Sequence, residues 1–104
     1  MKTSGTYILD GKTAIPCDDL MRWAVWFEKS QGARRVALTD TADARVSTVF
    51  LGLDHNYSES GPPLLFETMV FGGPFDQEQE RYPTWEGAEE GHQRWVAKIK
   101  KEAR

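Results

Sequence analysis

The residues whose types could do chemistry lie in two neighbouring segments. Asp54, His55 and Asn56 follow the apolar run RVSTVFLGL, and Glu67 interrupts a second apolar run, LLFETMVF. A histidine beside a carboxylate can act as an acid, a base or a ligand. A carboxylate among bulky apolar residues needs a partner, because burying an unpaired charge is costly. The sequence therefore places a candidate site in these two segments and in the polar loop, DHNYSESGPP, that joins them.

Glu67 has two interpretations. It forms a structural ion pair, for which Arg35, Arg45 and Arg81 are the candidate partners, or it is a ligand-binding or catalytic carboxylate. Arginine holds a phosphate or carboxylate through two parallel hydrogen bonds, and Tyr82 beside Arg81 adds a ring and a hydroxyl. The strand order decides which arginine faces Glu67, so both interpretations stay open.

The loop that begins at Asp54 also has two interpretations. Aspartate and asparagine dominate turns and would simply end a strand, whereas loops on rigid hairpins are common recognition sites. In an enzyme, Glu67 or His55 would be the base, Asp54 would orient it, and an arginine would hold an anionic substrate. The ligand or partner site predicted from the sequence comprises Arg45, Asp54, His55, Asn56, Tyr57, Glu67, Arg81 and Tyr82.

The elements that must position these residues predict an α+β fold. Hydrophobic periodicity and turn signals indicate about five strands and two amphipathic helices in the order ββαβββα. A turn is expected at Asp10 and Gly11, a first helix after Asp18 or Asp19, and a last helix after Thr84. Short connections predict one antiparallel sheet with both helices on one face. The other face is then solvated, or it binds a partner or a second copy of the chain.

Length, charge and cysteine content narrow the class of protein. A chain of 104 residues is expected to form a single domain, residues 1–104. A net charge of −3 argues against a general nucleic-acid binder, because phosphate neutralisation needs a basic surface. Cys17 is the only cysteine, which excludes an internal disulfide. The sequence shows neither a signal-peptide core nor an apolar run of membrane-spanning length, and this predicts a soluble cytoplasmic protein.

No motif in the sequence indicates a cofactor or a bound metal. GXSXG, HEXXH, CXXC, GXGXXG and P-loop patterns are absent from the chain. His92 falls on the apolar stripe of the last helix, and we expect it to be a packed, hydrogen-bonded histidine. The acidic stretch from Asp76 to Glu90 is interpreted as a solvated helix start or as a surface for a basic partner. The segment FDQEQERY, with which it begins, is a loop or contains a short edge strand near Arg81 and Tyr82. The sequence thus favours binding over catalysis.

Three runs of the chain carry a resemblance to a known group of proteins. VSTVFLGLDHN, PPLLFETMVFGG and QERYPTWEGAEEGHQRWV resemble a family of small proteins encoded by tailed bacteriophages and prophages, over approximately residues 34–96. The resemblance implies a bacterial cytoplasm and an accessory role during infection or lysogeny. Small phage accessory proteins often bind host machinery, including immune effectors or their nucleotide signals.

The favoured hypothesis is therefore a phage or prophage accessory protein that binds a bacterial host target without catalysis. The target would be an immune protein complex, which the protein inhibits, or a small nucleotide signal, which it sequesters. One alternative is a small acid–base enzyme that acts on a substrate bearing a phosphate or a carboxylate. A second alternative is a component of the virion or of its assembly.

Overall fold

The computed structural model describes residues 5–58 and 60–102, and these residues confirm the α+β class. In chain order the elements are β1 (Tyr7–Asp10), β2 (Thr13–Pro16), α1 (Leu20–Lys29), β3 (Arg35–Asp40), β4 (Arg45–Phe50), β5 (Phe66–Phe71), β6 (Gln79–Tyr82) and α2 (Trp85–Glu102). The strands make two antiparallel sheets, which are the β1–β2 hairpin and a four-stranded sheet in the order β3-β4-β5-β6.

The prediction of one sheet with about five strands in the order ββαβββα is wrong. A sixth strand, β6, lies in the acidic stretch and pairs with β5, so that Glu67 faces Arg81 and Thr68 faces Glu80. Its four residues, QERY, include two adjacent charges and a single aromatic residue, so the apolar alternation of a strand is absent and the pairing with β5 identifies it. The β1–β2 hairpin forms a separate sheet, and an isolated bridge between Thr6 and Leu53 joins it to the rest.

The first hairpin and the first helix form where local signals predict them. Asp10 pairs with Thr13, so the tight turn contains Gly11, with a φ of +62°, and Lys12. The carboxylate of Asp19 accepts the backbone N–H of Arg22 and caps α1. Helix α1 packs mainly against β1, whereas α2 packs across all four strands of the larger sheet. Helix α2 therefore supplies most of the helical layer of that sheet, and α1 adds Trp26, whose ring meets that of Phe50 edge to face.

Helix α2 approaches the sheet closely because a glycine faces a tyrosine. A Cβ atom at Gly91 would overlap the ring and hydroxyl of Tyr82 on β6. The absence of that atom lets the helix settle directly on the buried ring. The buried residues of α2 are Ala88, Gly91, His92, Val96 and Ile99.

The four-stranded sheet has one face covered by α2, the covered face, and one face that neither helix crosses, the open face. Along β4, Val46, Thr48 and Phe50 are fully buried and belong to the covered face. Successive strand residues point to opposite sides, and the register carries this alternation to the other strands. The open face carries Arg35, Leu38, Asp40, Arg45, Ser47, Val49, Glu67, Met69, Phe71, Gln79 and Arg81.

Candidate functional site

Glu67 forms an ion pair with Arg81 on the open face. The Nε of Arg81 lies 2.9 Å from Oε2 of Glu67, and the two side chains are 32% and 16% exposed. The pairing of β5 with β6 sets these residues directly opposite each other. Glu67 is therefore a half-buried, paired carboxylate, as its structural interpretation requires.

Arg45 lies on the same face but belongs to a different ion pair. Its Nε is 2.7 Å from Oδ1 of Asp40, and both side chains are well exposed. The hydrogen bond from Arg45 lowers the pKa of Asp40 below its usual value. Arg45 is four residues along β4 from Val49, which pairs with Glu67, so about 14 Å separates the two positions. Arg45 and Glu67 share a face but not one site.

The loop after β4 is held together by its own polar groups. Oδ1 of Asp54 accepts the backbone N–H groups of Asn56 and Leu64 at 2.8 and 3.0 Å. The side-chain amide of Asn56 donates to the carbonyls of Ser60 and Pro62 at 3.0 and 2.8 Å. These bonds close the loop, so two of the four predicted loop residues shape the loop itself.

His55 and Tyr57 are the loop side chains that point outward. Nδ1 of His55 donates to the carbonyl of Leu53 at 2.9 Å, and its ring lies 6.0 Å from the ring of Tyr57. Tyr57 is 83% exposed. Within residues 5–58 and 60–102, no hydrogen bond or ion pair joins His55 to Glu67.

Tyr82, the last predicted site residue, lies on the covered face in a buried polar chain. His92 on α2 contacts the hydroxyl of Thr39 through Nε2 and that of Thr48 through Nδ1, both at 2.8 Å. The hydroxyl of Thr48 lies 2.6 Å from that of Thr68. Tyr82 then links Thr68, at 2.9 Å, to the carboxylate of Glu80, at 3.1 Å.

The carboxylate at the end of this chain sets the direction of its hydrogen bonds. An ionised Glu80 only accepts, so Tyr82 donates to it and accepts from Thr68. Thr68 in turn accepts from Thr48, and Thr48 accepts from Nδ1 of His92. The indole N–H of Trp95 donates to the same oxygen of Glu80 at 3.0 Å. The chain is complete when His92 is the neutral Nδ1–H tautomer and Nε2 accepts from Thr39.

Burial favours the uncharged form of both titratable rings in this chain. Desolvation lowers the pKa of His92 from its ordinary 6.5, and desolvation raises the pKa of Tyr82. His92 is fully buried, as the sequence predicts. A neutral, fully bonded histidine between α2 and the sheet stabilises the fold and is not accessible to a substrate.

A cavity of about 290 Å³ lies between the first hairpin and the start of α2. Nζ of Lys12 is 5.7 Å from the ring centroid of Trp85. The hydroxyl of Thr84 caps α2 by accepting the backbone N–H of Gly87 at 3.0 Å. The lining residues are Tyr7, Lys12, Thr13, Ala14, Pro63, Leu65, Phe66, Pro83, Thr84, Trp85 and Glu86.

Trp85, which lines this cavity, also has a buried indole N–H. Its Nε1 atom is buried and has no hydrogen-bond acceptor in the part of the chain that the structure describes. Sequence reasoning missed this cavity, because Lys12 and Trp85 come from distant segments that no motif links. The one available signal is the Thr84 cap, which marks the start of a helix.

Other classes of site receive no support. Within the described ranges no group of three or more His, Cys, Asp or Glu side chains could hold a metal ion. In those ranges, too, no helix combines the length and the apolar character needed to cross a membrane. Comparisons with protein-family models, with curated protein sequences and with solved structures find no match to this chain. The resemblance to phage proteins therefore stays a prediction.

Proposed function

We propose that this chain is a non-enzymatic binding protein of a bacteriophage or prophage that takes up a small anionic molecule with an aromatic ring, the chemistry of a nucleotide. The observation that carries the proposal is the cavity of about 290 Å³ between the first hairpin and α2. Small-molecule sites are concave, mostly apolar and furnished with a few polar groups, and this cavity has that composition.

The walls of the cavity suit a planar ring. Tyr7, Phe66 and Trp85 line it, and the rings of Phe66 and Trp85 meet edge to face with centroids 6.1 Å apart. Aromatic side chains bury a large area and stack on flat ligands. The volume is at the lower end of the range for ligand sites, about 300–1,000 Å³. The ligand is therefore no larger than a mononucleotide.

The polar groups of the cavity suit a single anionic group. Lys12 supplies a positive charge, and the start of α2 supplies the positive end of a helix dipole. Glu86 also lines the cavity, and its carboxylate can accept hydrogen bonds from hydroxyl or amino groups while it repels a second negative charge. A monophosphate fits this balance better than a polyphosphate.

The placement of the titratable side chains favours binding over catalysis. His55 bonds to its own loop, Glu67 bonds to Arg81, and His92 is buried between α2 and the sheet. None of the three lines the cavity. Because these three candidate catalytic residues lie outside the cavity, sequestration of the ligand is favoured over its conversion. The effect of the protein in the host cytoplasm would then depend on its being at least as abundant as the ligand.

The test is nuclear magnetic resonance titration of the ¹⁵N-labelled protein with adenosine 5′-monophosphate, adenosine and inorganic phosphate. Trp85→Phe identifies the Trp85 indole signal among those of the four tryptophans. We expect adenosine 5′-monophosphate to shift that signal and the Lys12 amide, and each half of the ligand alone to bind more weakly.

The matched variants are Lys12→Ala and Lys100→Ala, which remove an exposed lysine at the cavity and one far along α2. Lys12→Ala should weaken binding about tenfold, because a charge-assisted hydrogen bond is lost, and Lys100→Ala should leave it unchanged. No shift of Trp85 at millimolar ligand would refute the proposal, and a protein partner captured on another surface would replace it. Conversion of the ligand to product would favour the enzyme alternative.

A further inference from the structure

We propose that the open face of the four-stranded sheet pairs with the open face of a second copy of this chain, about one specific two-fold axis. This inference does not rest on the proposed function, because the cavity lies between the hairpin and α2 and shares no residue with the open face. The observation behind it is the arrangement of charges in the strand register.

The open face is built from three rows that run across the strands. The residues of the middle row are uncharged, and all the charged residues of this face lie in the two outer rows. The middle row is Leu38, Ser47, Met69 and Gln79; one outer row is Asp40, Arg45 and Phe71; the other is Arg35, Val49, Glu67 and Arg81.

Four apolar side chains contribute to this face. Leu38 is 39% exposed and Phe71 is 49% exposed, and Val49 and Met69 are half-buried. Exposed apolar area rimmed by charged residues is characteristic of association surfaces. Antiparallel sheets with one uncovered face often complete their second layer in this way.

The charges are opposite at the two ends of the edge strand β3. Asp40 lies at one end, and Arg35 lies at the other end, beyond an irregularity in the pairing. Arg35 is exposed, and it forms no ion pair within the ranges that the structure describes. An edge with one unpaired arginine and an aspartate at its far end is complementary to a reversed copy of itself.

A two-fold axis that runs across the strands, along the middle row, satisfies these charges. It exchanges the two outer rows, so Asp40 of each copy meets Arg35 of the other, and each contact occurs twice. Arg45 then lies over Val49 of the second copy, beside that copy's Glu67. Leu38 and Met69 meet their own counterparts at the axis.

The other two-fold arrangement of the stacked sheets is disfavoured by like charges. An axis parallel to the strands places β3 of one copy over β6 of the other, and Arg35 then faces Arg81 of the second copy. Like charges brought together at an interface cost free energy. The charge pattern therefore favours one two-fold axis. It also favours a second copy of this chain as the partner, because binding between two copies requires a self-complementary surface and binding to an unrelated protein does not.

The size of the face sets the expected strength. Four strands about 4.8 Å apart and five residues long cover roughly 19 by 17 Å, which is small beside the ~800 Å² per partner of a standard interface. We expect a reversible dimer with a dissociation constant on the order of tens of micromolar.

Sedimentation equilibrium of the full chain from about ten micromolar to about one millimolar, a range chosen around the expected constant, tests the proposal. We expect a monomer–dimer equilibrium that Arg35→Glu weakens at least tenfold, because it sets a carboxylate opposite Asp40 of the second copy. The charge swap Arg35→Glu with Asp40→Arg should restore association relative to Arg35→Glu alone. Arg22→Glu, on the exposed surface of α1, is the control and should leave the dimer intact.

Met69→Glu tests the apolar row independently of the charge swap and should abolish the dimer. Far-ultraviolet circular dichroism confirms that each variant is folded before it is compared. A wild-type protein that stays monomeric throughout would overturn the proposal, as would a trimer or an open-ended assembly. A charge swap that remains as weak as Arg35→Glu, in a folded protein, would overturn the assigned axis.

Discussion

Both faces of the four-stranded sheet carry polar side chains, and these side chains have different kinds of partner on the two faces. On the covered face, Thr48 and Thr68 of the sheet and His92 of α2 are fully buried. Their side chains form one hydrogen-bonded network, in which Thr48 contacts both Thr68 and His92. On the open face the polar groups form two separate ion pairs, Asp40 with Arg45 and Glu67 with Arg81, which water reaches. Adjacent residues of one strand thus lie in opposite environments, one buried and the other accessible to water.

The comparison separates residues that hold the fold from residues free to bind. A buried polar group that loses its partner pays the full desolvation cost, about 1–3 kcal/mol. An exposed ion pair contributes about 0–1 kcal/mol, because water screens it. The covered face should therefore tolerate almost no change, whereas the open face can be altered to test association without unfolding the protein.

The largest expected effect on stability follows from adding an atom where α2 packs directly against Tyr82 of β6. Gly91→Ala introduces a Cβ atom that overlaps the ring of Tyr82. Helix propensity alone would stabilise the alanine variant by about 1 kcal/mol, but overpacking should outweigh it and lower the free energy of unfolding by about 2–3 kcal/mol. Urea denaturation measures this change.

Gly32→Ala is the control for that experiment, because no atom lies within 4 Å of the added Cβ position. It should leave the midpoint nearly unchanged. A more stable Gly91→Ala variant would show that α2 does not approach Tyr82 as described.

Neighbouring residues of β4 give the most direct test of the two faces. Thr48→Val keeps the shape of the side chain but removes the hydroxyl between Thr68 and His92. We expect a loss of about 1–2 kcal/mol, because the Nδ1–H of His92 loses its acceptor. Ser47→Ala, on the open face, should change stability by less than about 0.5 kcal/mol. Equal effects in thermal denaturation would contradict the difference between the faces.

Because His92 is neutral in the folded protein, the free energy of unfolding should decrease at acidic pH. Burial lowers the pKa of His92 from 6.5 in the folded protein, so below that pH the unfolded chain binds a proton that the folded chain does not. The free energy of unfolding should fall as the pH drops from 7.5 to 5.5, by up to about 1.4 kcal/mol per pH unit.

His92→Gln isolates this effect, because the amide keeps hydrogen-bonding groups near Thr39 and Thr48 but does not titrate. Glu80 and Tyr82, the other titratable members of the buried chain, are present in both proteins and cancel in the comparison. The variant should show a flatter pH profile. An unchanged slope would mean that His92 is not the group responsible.

The smallest effect is expected on the open face. Glu67→Gln breaks the ion pair with Arg81, whose side chain is 32% exposed, and should cost about 0.5–1 kcal/mol while the fold is retained. A double-mutant cycle with Arg81→Gln measures the coupling between the two side chains. A loss of stability above about 3 kcal/mol is the range of a broken buried ion pair. It would show that Glu67 behaves like the buried residues of the covered face.

The parts of the fold that depend on adjacent residues could be predicted from the sequence. The Asp19 cap needs only the next three residues, and the stripe of α2 needs only helical periodicity. For strand β6 the sequence leaves a loop and a short edge strand as alternatives, because its four residues, QERY, form a strand only through their pairing with β5. The same dependence on pairing explains why the sheet was expected to have five strands.

The candidate site was only partly predictable for a related reason. Glu67 was singled out because it is a charge within an apolar run, and three arginines were possible partners until the register set Arg81 opposite it. Tyr82 was grouped with Arg81 because they are neighbours in the chain, yet alternation sends Tyr82 to the covered face. No sequence pattern links Lys12 to Trp85, because more than seventy positions separate them.

The sequence by itself determined the α+β class, the helix cap, the hairpin turn and the burial of His92, because short-range hydrogen bonding and hydrophobic periodicity specify these features locally. Only the tertiary structure decided the partner of Glu67, the direction of the buried chain from His92 to Glu80, the cavity beside Lys12 and the charge rows of the open face. Each of these depends on strand register or helix placement, which bring together residues that are far apart in the chain.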